Sequence, residues 1–277
     1  MANDDSRYVG SFFTSYTNTR MKLHRHCVPL DNNVERISKV YGYPVEQVQD
    51  IFKVLEEDLQ SYAMRLTDQY FRQLDVLSGK TATLVFIGDQ LTSEYLSYYN
   101  ILCRVFRPYP GIRMAMAGNT GDTANQAVQY LYSLAVSQAP QVTSLLIGTN
   151  DTYESKDCYR KTVSSRKEYR ANLNHLVKVM RHHGSKILLN TLPPVNTDVA
   201  NCAYAHMNWN CSNLVIEDFN DVIRNVASEN HSVLNDVYAA FRSFTGPITL
   251  ANNGVFLTGE AQCFLAETIL KQLLVML

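Results

Sequence analysis

From residue 81 onward, short apolar runs alternate with amphipathic stretches, and this alternation restricts the fold more than any other feature. Leu84–Ile87, Ile112–Ala117, Val142–Ile147, Lys186–Asn190 and Val233–Val237 read as strands. Their side chains are mostly apolar on both faces, as in strands covered from two sides. Between them, Thr123–Ser137, Arg166–His183 and Ile216–Glu229 carry apolar residues at three- and four-residue steps, the period of a helix with one buried face. Strands and helices in turn imply a parallel sheet sandwiched between helices. In such sheets ligands bind at the carboxyl ends of the strands, so chemistry is to be sought in the loops that follow them.

The first 80 residues do not follow this pattern. Residues 1–32 are polar and irregular, and "NVERISKVY" (33–41) reads as a short helix ended by Gly42. Val45–Leu77 is the strongest helical pattern in the chain: Val48, Ile51, Phe52, Leu55, Leu59, Tyr62, Leu66 and Leu74 form one apolar stripe, and Gly79 stops it. The chain thus divides into an N-terminal extension, 1–80, and an α/β domain, 81–277. The stripe either packs on that domain or joins two copies in a homo-oligomer. Neither an internal repeat nor a low-complexity linker interrupts the sequence.

Composition narrows the partners. With 46% apolar and 18% charged residues the chain has an ordinary globular balance, and a net charge of −1 offers no attraction to nucleic acid or acidic lipid. No run approaches the ~18 consecutive apolar residues of a membrane span. "MANDDSRYVGSFF" is acidic where a secretion leader is basic. Six cysteines without a CxxC pair suit a reducing compartment, and the cytoplasm is the expected location.

Four segments at the strand ends stand out: "IGDQLT" (87–92), "AGNTGDT" (117–123), "IGTND" (147–151) and "NNGVFLTGEAQCFLAETI" (252–269). In order and spacing they resemble the blocks of the SGNH (GDSL-type) hydrolases across residues 82–277. The resemblance implies a three-layer α/β/α fold with a five-stranded, flavodoxin-like parallel sheet. It also implies ester hydrolysis without a cofactor, by a Ser/Asp/His triad and an oxyanion hole. Carried over position by position, Gly88 and Asp89 keep the elbow, and Gly121 and Asn150 keep the oxyanion donors. The serine is Gln90, the aspartate Asn253 and the histidine Phe256.

Those three departures bear directly on the chemistry. Acyl transfer needs a nucleophilic oxygen, a base for its proton and a carboxylate to orient that base. The amide of Gln90 is a poor nucleophile, the ring of Phe256 moves no proton, and Asn253 carries no charge. Loss of one triad member costs on the order of 10⁴–10⁶ in rate, and further losses overlap rather than multiply. The expectation is a catalytically silent relative that binds a small acyl or carbohydrate ligand, or a protein partner. Phe256 beside Gln90 should also leave the pocket plugged and drier than in active relatives. The retained residues admit two readings. Gly88, Asp89, Asn150 and Asp151 can be kept for turn and capping geometry, or Gly121, Asn150 and Gln90 can form a pocket for a carbonyl or hydroxyl.

The alternatives rest on other residues. Ser93, or a cysteine, can be a relocated nucleophile in an active esterase, whereas Thr92 belongs to the family's GDSLT pattern and is not the nucleophile. The histidines available as a base are His24, His26, His175, His182, His183, His206 and His231. Of these, His175, His182 and His183 are expected to face solvent, and His231 to lie at the amino end of the sheet. In "NCAYAHMNWNC" (201–211), Cys202, His206 and Cys211 lack the fourth ligand of a structural zinc site. The segment reads as an insertion loop with buried cysteines and Trp209 over the pocket, a Cys202–Cys211 disulfide being the oxidising variant. "AGNTGDT" lacks the full glycine pattern and lysine of a nucleotide loop. "RYVGSFF" and Arg104, Arg107 and Arg113 suggest an anion site only weakly against scattered surface charge.

Overall fold

The computed structural model describes residues 33–157 and 160–277. Readings that fall on residues 1–32, including His24, His26 and "RYVGSFF", lie outside the described residues. Two helices, α1 (Val34–Tyr41) and α2 (Val45–Gln69), and the short α3 (Phe71–Asp75) lead into β1 (Ala82–Gly88), α4 (Gln90–Ser93) and α5 (Tyr98–Val105). Next come β2 (Ile112–Gly118), α6 (Ala124–Gln129), β3 (Val142–Leu146), β4 (Glu154–Ser155), α7 (Arg166–His182) and β5 (Lys186–Asn190). The chain closes with α8 (Thr197–Ala203), β6 (Trp209–Asn210), α9 (Asn213–Glu229), β7 (Val233–Asn235), α10 (Val237–Ala240) and α11 (Gly259–Met276).

The main sheet has the order β2-β1-β3-β5-β7, every neighbouring pair parallel. This is the expected three-layer, flavodoxin-like arrangement, with its switch point between β1 and β3. A two-stranded antiparallel pair, β4 with β6, stands apart from the main sheet. The apolar stripe of α2 is used inside the chain. Val48, Leu55, Leu59 and Leu66, with Leu74 of α3, are buried in the same core as Leu84–Ile87, with α2 lying against α5 and α11. No helix among the described residues is long and apolar enough to cross a membrane.

Four boundaries differ from the sequence expectation, each for a tertiary or capping reason. The helix expected to reach Leu77 breaks at Tyr70, whose hydroxyl donates to Glu267 on α11 at 2.7 Å while Gln69 donates to the same carboxylate at 3.0 Å. The single helix expected over Thr123–Ser137 is α6, then a widened turn at Leu131–Ala135 and a tight one at Val136–Gln138. Tyr130 leaves the helical path there, its hydroxyl held by the Asp122 carboxylate. The last strand stops at Asn235 because Asp236 turns back to accept from Ala239 N–H and pairs with Arg224. Helix α9 begins before Ile216 because Ser212 caps it at Leu214 N–H.

Helix α7 begins with a reciprocal cap, Ser165 accepting from Glu168 N–H while Glu168 accepts from Ser165 N–H. Each bond satisfies an amide that the helix itself leaves open. Replacing Ser165 by Ala should lower stability by about 1 kcal/mol, read as a shift in the denaturant midpoint at unchanged slope.

Candidate active site

The strand-end loops meet at the switch point, and the elbow after β1 is shaped by contact. A β-carbon on Gly88 would stand 1.9 Å from Thr92 Oγ1, and one on Gly118 would stand 1.9 Å from Gly88 O. Two glycines side by side therefore let α4 fold directly onto β1 and β2. Asp89 caps α4 by accepting from Leu91 N–H at 3.1 Å, and its second oxygen accepts from Thr149 N–H at 3.2 Å across the switch point. It is fully buried, and burial pushes its carboxyl up to about 7 despite both donors.

Gln90 follows at the first position of α4, 3% exposed. Its side-chain oxygen accepts from Gly121 N–H at 3.2 Å and from Asn150 Nδ2 at 2.8 Å. Gly121 reaches this position with φ +85°, a conformation other residues rarely adopt. Asn150 is fixed by a second bond from the same nitrogen to Asp122 O at 2.8 Å. Its neighbour Asp151 points away, accepting from Ala124 N–H at 2.9 Å and from Ser164 Oγ at 2.5 Å, and burial raises it to about 6. The structure therefore joins Gln90, Gly121 and Asn150 in one cluster and gives Asp151 a capping task.

Asn253 and Phe256 sit in the last loop, at 2% and 4% exposure. Asn253 Oδ1 accepts from the N–H groups of Val255 and Phe256, each at 3.0 Å, and its nitrogen donates to Tyr204 OH at 2.9 Å. The side chain shapes its own loop and ties it to the segment after α8. Phe256 is buried but stands outside the main apolar core that contains Val255 and Leu257.

Sequence reasoning left several residues of this region unremarked. Glu94, at the end of α4, is buried; Gln262 of α11 donates to one of its oxygens, and the other has no hydrogen-bond partner. Burial raises Glu94 well above the usual carboxylate range, with the nearby Asp89 charge acting in the same direction. Gln262 also accepts from Tyr98 N–H at 2.9 Å, so it staples α11 to α5. The only signal was polar side chains at positions where the helical pattern requires apolar ones.

Ser93 is buried, its hydroxyl 3.3 Å from Thr120 Oγ1, and Thr92 lies 2.9 Å from Tyr98 OH. His175, His182, His183, His206 and His231 are all exposed, in contrast to the buried cluster around Gln90. Cys202 is exposed, Cys211 is buried and neither forms a disulfide, which corrects the expectation that both thiols of the insertion are buried. No group of three potential metal ligands occurs among the described residues. Trp209 packs edge-on against Tyr153, with ring centres 5.3 Å apart.

Comparison with known proteins agrees with this architecture. The model of the GDSL-like lipase/acylhydrolase family matches residues 86–255, more than half of the chain. The acetyl xylan esterase AlAXEase is similar with a TM-score of 0.58 and 17% identity, over 69% of this chain and 98% of that one. Axe2, an acetylxylan esterase from Geobacillus stearothermophilus, gives a TM-score of 0.56 and 23% identity, over 70% of this chain and 94% of that one. At such identities the likeness is one of fold. No curated protein matches the chain in sequence. The family match covers the elbow, the Gly121 and Asn150 loops and the start of the last loop, and the chain belongs to the GDSL-like lipase/acylhydrolase family.

Proposed function

We propose that this chain is a catalytically silent member of its family, working as a binding or scaffold protein. Gln90, Asn253 and Phe256 are taken to stand at the positions of nucleophile, acid and base. One observation carries the reading: the oxygen of Gln90 already accepts from Gly121 N–H and Asn150 Nδ2. Donors that would stabilise a developing oxyanion are satisfied in the resting state by a carbonyl of the protein itself. A substrate carbonyl would have to displace that oxygen, and no hydroxyl would stand there to attack it. The ligand class suggested by the fold neighbours is an acetylated carbohydrate, with a protein partner as the other candidate. A reducing, cytoplasmic setting accords with the free thiols of Cys103, Cys202, Cys211 and Cys263.

The test is hydrolysis of p-nitrophenyl acetate by the purified chain. The expected rate equals the buffer background and stays there in Asn150→Ala. The triple change Gln90→Ser, Asn253→Asp and Phe256→His should yield weak turnover, far below that of an intact esterase, because the surrounding side chains no longer hold a triad. Turnover by the unaltered chain that disappears in Asn150→Ala would overturn the proposal.

A second reading, an active esterase with a relocated nucleophile, draws on Ser93, which is buried on the same short helix as Gln90. A fluorophosphonate probe separates the two: labelling mapped to Ser93 favours the enzyme, and an unlabelled chain favours the silent relative.

A further inference from the structure

Strand β2 is one of the two edge strands of the main sheet, and among the described residues no strand pairs with its far side. The register shows which of its backbone groups are open. Ala82 is opposite Ile112 and donates to Gly111 O at 3.0 Å. In a parallel ladder this turns the amide and carbonyl groups of Arg113, Ala115 and Ala117 toward β1, and those of Ile112, Met114 and Met116 outward. Ile112 N–H is taken by Tyr109 O at 2.9 Å. Met114 and Met116 remain, half-buried residues whose outward amides have no backbone partner among the described residues.

Beside this edge lies a cavity of about 170 Å³, walled by Phe106, Tyr109, Pro110, Ile112 and Met114, with the exposed Arg107 also lining it. It is open to solvent and lined in part by polar atoms, and it has the size of a single aromatic or branched side chain, an enclosed cavity of roughly 150 Å³ being enough for benzene. Ile112 and Met114 belong both to the cavity wall and to the open edge. Charge adds a preference. Arg104 is occupied by Glu56, with Nε at 3.1 Å, whereas Arg107 and Arg113 are exposed and form no ion pair among the described residues. Two negative charges lie nearby: Glu56, which Arg107 helps to hold low in addition to Arg104, and Asp75, which is felt at Tyr109.

We propose that the outer edge of β2 and its adjoining cavity dock an extended acidic segment of a partner protein as a sixth strand. Main-chain bonds to Met114 and Met116 hold the segment, one apolar side chain fills the cavity, and acidic side chains meet Arg107 and Arg113. Recognition by strand addition draws affinity from the backbone and specificity from alternate side chains. A cationic edge repels another cationic edge, which sets the acidic choice against pairing between copies. This surface is separate from the Gln90 cluster and does not depend on whether the chain hydrolyses esters.

The probe is a fluorescein-labelled heptapeptide, Asp-Glu-Val-Phe-Glu-Glu-Asp, with acids on both faces of the strand, titrated against the full chain by anisotropy. Binding should weaken about tenfold or more in the double variant Arg107→Glu with Arg113→Glu, and by about tenfold when the peptide's Phe is Ala. By NMR, exchange at the Met114 and Met116 amides should be fast in the free chain and slow about tenfold or more on binding. Absence of binding, or binding indifferent to both changes, overturns the proposal. So does protection of the two amides before peptide is added, which would assign the edge to the chain's own residues or, if it grows with concentration, to a second copy.

Discussion

Unfolding free energy measured by denaturant should fall as the pH rises from about 4 to about 8. The cause is buried carboxyls whose folded pKa lies above the unfolded one: Asp89, raised to about 7, Asp151, raised to about 6, and Glu94, also raised, all chiefly by burial. Between the two pKa values the folded state holds a proton that the unfolded state has released, so ∂ΔG/∂pH is negative. The stabilisation is complete below the unfolded value and is lost as pH climbs through the folded one. For Asp89 alone the shift corresponds to on the order of 4 kcal/mol across that interval. The half-exposed Glu56, held low by its bond to Arg104, acts oppositely, only on the acid side and weakly.

Two variants assign the slope. Glu94→Gln keeps shape and removes the charge, and the unpartnered oxygen is replaced by an amide nitrogen equally without a partner. It should make the fall with pH shallower at little cost near pH 4. Asp89→Asn should remove the steep section between about 4 and 7 and lower stability at the acid end, because an amide nitrogen would then face a backbone N–H at Leu91 or Thr149. A stability that is flat or rising over this interval would contradict the assignment of all three groups.

The second large effect is expected at Gly118. Its missing β-carbon is replaced in space by Gly88 O at 1.9 Å, an atom of β1 that cannot withdraw without breaking the elbow. Gly118→Ala should cost more than about 3 kcal/mol, or leave the chain unfolded, through overpacking at a rigid contact. Gly184 is the control: its φ is +84° but nothing lies near its β-carbon position. Gly184→Ala should cost only about 1–2 kcal/mol, the penalty of the left-handed backbone alone. Equal losses at the two positions would show that the close approach of β1 to β2 is not what makes Gly118 necessary.

The local code accounts well for the parts of this fold that depend on near neighbours. The strand–helix alternation after residue 81 placed all five strands of the main sheet, and the stripe from Val48 to Leu74 identified the helical face that enters the core. It was less informative where a distant group intervenes. The break at Tyr70 follows from a carboxylate 197 positions away on α11. The exposure of Cys202 beside the burial of Cys211 was equally invisible in a run that reads alike at both ends.

What the sequence by itself determined is the kind of side chain at each strand end: a glutamine after the elbow, an asparagine and a phenylalanine in the last loop, glycines where strands close in. Covalent identity alone says that none of the first three is a good nucleophile or base. Only the tertiary structure decided that Gln90 turns its oxygen to Gly121 and Asn150, 31 and 60 positions away, and that Glu94 meets Gln262, 168 positions away. Periodicity and propensity report on a few neighbouring residues. Which donor meets which acceptor across the switch point is settled when the layers pack, where a buried polar group left unmatched costs more than its bond returns in water.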